Sequence, residues 1–243
     1  METKETETQK GLSTQAFEQL RVDIIQGHLR PSERLRIQGL SEHYHVGATA
    51  IREALSRLVS DGMVDFEDKR GFCVSPVSRD ELLDLTQTRI DIESLAMRYA
   101  VQRGDLGWES NLLSAFHRLS RTPVPYSPEK HVAWADAHQQ FHEALVAGCG
   151  SPWLLRLCRL LYDKSERYRN VAERHPLSAD RDTVDEHKQL LDGAMARDAD
   201  LLSLHLAEHY GRTTSIILET NFGNITVTGE SSAPRALVKT NKA

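Results

Sequence analysis

The chain has 243 residues, 40% of them hydrophobic and 27% charged, with a formal net charge of −5; that is enough apolar content for one large or two ordinary domains, and it excludes a polycation. If the chain binds nucleic acid, its basic groups must be gathered on one face. Three cysteines (Cys73, Cys149, Cys158) without a CxxC pair argue against a disulfide framework, while the polar start METKETETQKG and the lack of a membrane-length apolar run point to the cytoplasm and to no membrane partner.

Residues 1–13 are polar and read as a disordered tail. From Thr14 to Gly27, Phe17, Leu20, Ile24 and Ile25 recur at helical spacing, and Gly27 supplies a stop. A Pro-containing connector, HLRPSERLR, leads to a short helix at 37–44 with Leu40 inward. Val46 and Gly47 make a turn. A third helix runs from Thr49 to Ser60, with Ile51, Leu55, Leu58 and Val59 on one face, and Asp61-Gly62 ends it. Two β-type runs follow, 63–66 and 72–75, joined by the charged turn EDKRG, a hairpin signal. Helix, helix, turn, helix, hairpin is the order of a winged helix-turn-helix, assigned to residues 14–77.

From Ser78 onward the pattern is helical. Ser78 with Glu81 has the form of a capping box, opening a helix that runs to Gly104. Further helices are expected over 107–120, 128–148, 151–173, 180–197 and 198–219, with Asp182 and Asp198 as start signals and TPVPYSP (122–128) as a break. Residues 78–220 make a second, all-helical domain, and 221–243 read as a flexible tail. The fold class is mainly α: a winged helix-turn-helix with a small β-hairpin, then an all-helical bundle.

A helix-turn-helix reads DNA because the front of its second helix enters the major groove. Here that front holds Thr49, which can hydrogen-bond a phosphate or a base, and Arg52, which can grip phosphate or a guanine edge. Arg36 precedes the first helix of the pair and can face the same groove. Lys69 and Arg70 sit at the hairpin tip, where a wing meets phosphates. Any one of these alone is more often a solvated surface residue; the ordered set of elements favours DNA contact.

These segments, FEQLRVDIIQGHLRPSERLR, LSEHYHVGATAIREALSRLVSDGMV and KRGFCVSPVS, closely resemble the GntR family of bacterial regulators. The resemblance covers residues 14–77 and implies a homodimer on a palindromic double-stranded operator. Many members place Ser, Arg, Thr and Pro between the turn and a VREAL stretch. This chain has Gly47-Ala48-Thr49-Ala50. It therefore lacks an arginine at position 48 and the base contact such an arginine makes.

In the helical half, His138 and His142 lie four apart, His205 and His209 repeat the spacing, and His187 follows Glu186. Residues four apart share a helix face, and imidazoles converging from several helices make a plausible metal site. With eleven histidines in the chain, one such pair arises readily by chance, so spacing alone does not decide.

Residues 78–218 are similar to the ligand-binding (FCD) domain of the FadR-type branch of the GntR family. The likeness lies in TRIDIESLAMRYA, HQQFHEALVAGCGSPWL and EHKQLLDGAMARDADLLSLHLAEH. It implies a divalent metal, zinc first and nickel next, held by His142, His187 and His209. His209 is chosen over His205 because it falls at the family's spacing from His187. His138 stands where the family has an aspartate. It either completes a four-histidine set or leaves three protein ligands and more water.

The resemblance also implies that Arg89 holds an effector carboxylate; the bland alternative is a surface ion pair with Glu93. Arg167, Tyr168 and Arg169 are further candidates to line the pocket. FHEALVAGCGS and LYDKSERYR resemble the carbon-starvation-induced regulator subgroup, associated with glutarate and 4-aminobutyrate catabolism, which points to a small carboxylate effector, a short dicarboxylate by preference. The expected function is a repressor of a catabolic operon and not an enzyme. The competing readings are a metal-dependent hydrolase and a DNA-binding protein with a purely structural metal.

Overall fold

The computed structural model describes residues 2–123, 128–172 and 181–219. Helix α1 (Glu2–Ile25) starts well before the expected Thr14. Ala16, Phe17, Leu20 and Ile24 are buried and fix its second half. Once that half is formed, the preceding Glu, Lys and Gln residues extend it without a new nucleation cost. Helices α2 (Ile37–Tyr44) and α3 (Ala48–Ser60) follow, with His45 at φ 56° turning the chain between them.

The connector HLRPSERLR contributes a strand that the sequence reading missed. β1 (Arg34–Leu35), β2 (Val64–Glu67) and β3 (Gly71–Val74) form an antiparallel sheet in the order β1-β3-β2, with Arg34 opposite Cys73 and Phe66 opposite Phe72. Leu35, Val64 and Val74 point inward to join Ile51, Leu55 and Leu58 of α3 and Leu20 of α1 in one core. Each such buried aliphatic side chain contributes about 1.5–3 kcal/mol.

Ser78 caps α4 (Arg79–Arg103) by accepting from the Glu81 N–H at 3.1 Å. The predicted capping box is only half formed, because the Glu81 carboxylate takes a hydrogen bond from Tyr168 instead. α5 (Leu106–Arg121), α6 (Pro128–Ala147), α7 (Pro152–Ala172), α8 (Thr183–Met195) and α9 (Ala199–Glu219) complete the bundle. The start signals hold: Asp182 accepts from the Asp185 N–H and Asp198 from the Leu201 N–H. Met97, Leu112, Phe141, Leu145, Leu190 and Leu206 form the bundle core.

The small-residue turn after α6 has a packing reason. A Cβ on Gly148 would lie 3.0 Å from the Trp108 ring and 3.1 Å from the Gly104 Cα, so two helix corners meet there at backbone distance. No described helix is long and apolar enough to cross a membrane. The tail at 221–243 lies outside the described residues.

Candidate metal centre and nucleic-acid interface

Three helices deliver four buried imidazoles to one point. His138 and His142 come from adjacent turns of α6, His187 from the first turns of α8, and His209 from the middle of α9. One ligand atom from each lies within 4.8 Å of all the others. His205, one turn before His209, is partly exposed and lies outside this group.

The hydrogen bonds around the cluster decide which ring nitrogen points where. His209 Nδ1 donates to Glu186 Oε2 at 2.7 Å, and His187 Nδ1 donates to the Thr183 carbonyl. His142 Nδ1 lies 3.3 Å from the Tyr210 hydroxyl, whose own proton goes to Glu93. With Nδ1 engaged on the outside, each ring turns an Nε2 lone pair to the shared centre, as ligating histidines do.

His138 differs. Its Nδ1 faces the Arg169 guanidinium, which can only donate, at 3.1 Å, and the Tyr162 hydroxyl, which can donate or accept, at 3.0 Å. Arg181 also lies 3.2 Å from His209 Nδ1, but there the carboxylate of Glu186 is nearer and sets the polarity. Trp134 stacks on the His138 ring at 4.7 Å and holds its plane.

The donor set fits a borderline divalent cation. His187 Nε2 is buried with no hydrogen-bond partner, a state that costs about 1–3 kcal/mol unless something binds there. Nε2 of His138 and His142 are 3.1 Å apart, which suits two nitrogens each about 2.0–2.1 Å from one ion. Imidazole ligands favour zinc, nickel or copper over magnesium or calcium.

Burial is the main reason all four rings stay neutral, and hence able to ligate. It holds His138, His142 and His187 well below the usual histidine value. His209 is lowered to about 4, with Glu186 partly opposing its burial. The sign for stability follows. The unfolded chain takes up protons near pH 6.5, the folded one only far lower, so metal-free protein loses stability as pH falls from about 6.5 toward 4, by roughly 1.4 kcal/mol per pH unit per histidine. Thermal unfolding with chelator at pH 7.5, 6.5 and 5.5 checks this; an unchanged midpoint contradicts it.

Arg89 pairs with Glu93 at 2.9 Å, but the pair is buried, not on the surface as the bland reading had it. Its other nitrogens donate to Ser165 at 2.8 Å and Tyr210 at 2.6 Å. Through Tyr210 it borders the histidine centre. Of the three candidates on α7, the structure brings Arg169 to the site. Arg167 donates instead to the Ser75 carbonyl, and Tyr168 bonds Glu81 near the start of α4.

At the other end, Thr49, Arg52, Arg36, Lys69 and Arg70 are all exposed. Arg36, Arg52 and Arg70 line one open depression between α3 and the wing, together with Arg34, Phe66 and Phe72. Thr49 and Lys69 lie outside its lining, Lys69 in the hairpin turn at φ 69°. Arg34 was missed; as the neighbours of buried Leu35 in and beside β1, Arg34 and Arg36 are both exposed. Around the histidine cluster, Trp134, Tyr162, Arg181 and Tyr210 were missed and Glu186 was noted only as the neighbour of His187; contact between distant helices reveals them.

Residues 12–74 match the family described as bacterial regulatory proteins, gntR family, and residues 84–212 match the FCD domain. The chain is 38% identical over 215 residues to the uncharacterized HTH-type transcriptional regulator BphR of Paraburkholderia xenovorans (strain LB400), covering 86% of each. It is 35% identical over 216 residues to the HTH-type transcriptional repressor GlaR of Escherichia coli (strain K12), covering 87% of this chain and 98% of that one. Its fold is also that of E. coli McbR/YncC, with a TM-score of 0.72, 21% identity and coverage of 86% and 97%. The protein therefore belongs to the GntR family of DNA-binding transcription regulators, with a C-terminal FCD domain.

Proposed function

We propose that the protein is a homodimeric repressor whose operator affinity is set by a small carboxylate bound beside a divalent metal, zinc by preference. The observation that carries this is the buried four-histidine cluster in the same chain as an arginine-lined recognition face. His142, His187 and His209 are pre-oriented as ligands, and His138 completes the set. A bound divalent ion would supply a Lewis-acidic position for an effector carboxylate oxygen.

Arg169 and Arg89 supply positive charge at the pocket wall. Glu93 already neutralises Arg89, so an incoming carboxylate competes with Glu93 for it. That competition gives the effector different energies in different arrangements of the bundle, which is what a shift between states requires. The resemblance to a repressor and the subgroup likeness favour repression and a short dicarboxylate such as glutarate.

On the DNA side, Arg36, Arg52 and Arg70 reach the duplex around α3, with Arg34 beside them, Thr49 at the helix front and Lys69 on the wing. Two copies would set half-sites about 34–36 Å apart. The test is binding to a DNA fragment from upstream of the protein's own gene. Arg52→Ala is expected to weaken specific binding about 10–100-fold. Equal affinity of wild-type protein for that fragment and for random DNA contradicts the reading.

A further inference from the structure

The segment Tyr162–Asn170 of α7 is almost wholly polar, yet Asp163, Ser165, Glu166, Arg167 and Tyr168 are all buried. Burying so many polar groups is costly unless each is partnered, and their partners divide by helix face. At 3.6 residues per turn, Tyr162, Ser165, Glu166 and Arg169 share one face. That face meets the histidine centre: Tyr162 and Arg169 reach His138, and Ser165 accepts from Arg89. Glu166 holds Arg169 at 2.8 Å.

The adjoining face, with Asp163, Lys164, Arg167 and Asn170, meets the winged helix. Asp163 forms an ion pair with Arg21 of α1 that is nearly closed to solvent, at 8% and 13% exposure. The other three donate to backbone carbonyls: Lys164 to Gly62 at 3.2 Å, Arg167 to Ser75 at 2.6 Å and Asn170 to Ile25 at 2.7 Å. These carbonyls lie at the end of α1, in the turn leaving α3 and just past β3. Each is a place where secondary structure stops and leaves an acceptor unsatisfied. One helix thus holds the DNA-binding domain at three chain exits. Hydrogen bonds, unlike apolar packing, are directional and tolerate little sliding.

We propose that Asp163, Lys164, Arg167 and Asn170 are positioning residues for the DNA-binding domain, and that α7 transmits the state of the histidine centre to α3. The input is Arg169. When His138 turns an Nε2 lone pair to the centre, its ring proton sits on Nδ1. The contact with the Arg169 N–H then sets donor against donor, so Arg169 and its stretch of α7 must shift. The DNA consequence rests on the function proposed above; the transmission itself does not.

Hydrogen exchange of the full-length protein, chelated and with zinc ion alone, separates the two. In wild-type protein, zinc is expected to change exchange rates at least about fivefold in amides of residues 22–29 and 61–76, none of which touches the histidines. In Asp163→Asn and Arg167→Gln that change is expected to fall to less than half, with zinc stoichiometry unaltered. Lys164→Met serves if either variant does not fold. No zinc-dependent change in wild-type protein, or an undiminished change in the folded variants, overturns the proposal. The same samples are titrated with the upstream DNA fragment. An affinity indifferent to zinc, with the exchange response intact and lost in the variants, contradicts metal-controlled DNA binding and leaves the α7 linkage standing.

Discussion

Arg89→Met is expected to lower the unfolding free energy by about 3–5 kcal/mol, because it leaves the Glu93 carboxylate buried and uncompensated. Glu93 is 3% exposed and would keep Tyr210 as its hydrogen-bond donor but lose its cation. For a chain of this length the midpoint of thermal unfolding should fall by about 10 °C. Arg89→Met combined with Glu93→Leu should recover much of the loss, since a pair replaced by apolar groups leaves no lone charge. It will not recover all, because Ser165 and Tyr210 lose a donor. A single variant as stable as the wild type would mean that Glu93 is solvated, against the burial of the network.

His187→Ala is expected to weaken zinc binding about 10²–10³-fold, taking one share in four of the roughly 10–16 kcal/mol typical of structural zinc sites. His187 is the clearest choice, since its Nε2 has no other partner in the fold. His205→Ala is the control and should retain the metal, because His205 shares the i,i+4 spacing but not the site. Metal analysis after dialysis against a calibrated chelator reads both. If the two variants hold metal equally, the centre has been misassigned.

Much of the fold was legible in the sequence because its signals are local. Apolar spacing at Phe17, Leu20 and Ile24, the caps at Ser78, Asp182 and Asp198, and the glycine-containing hairpin each act within a few residues. What was not legible depends on distant contacts. β1 is two residues long and exists only because β3 accepts it as a neighbour. The start of α1 depends on propagation from a helix pinned by tertiary burial. Glu81 has the sequence of a capping-box residue, but Tyr168, far along the chain, claims its carboxylate.

The candidate site divides in the same way. The four histidines could be named from the resemblance and not from spacing alone, since the i,i+4 pair His205 and His209 puts only one member in the group. The shell around them could be named only in part: Arg169 was one of three candidates on α7, while Tyr162, Glu186 and Tyr210 look like ordinary helix residues until the bundle closes. Arg89 shows the limit most plainly: its i,i+4 partner was visible, while Ser165 and Tyr210, which make the pair an internal one, come from two other helices.

The proposed function joins a DNA reader to a metal-centred carboxylate sensor in one chain. It is tested most directly by titrating glutarate and other short dicarboxylates into the complex of zinc-loaded protein with its upstream DNA, beside an identical titration after chelation. DNA affinity is expected to fall at least about fivefold with one such acid in the zinc-loaded sample, and not to respond in the chelated one. The same DNA affinity throughout, with zinc bound and every acid tried, would contradict it.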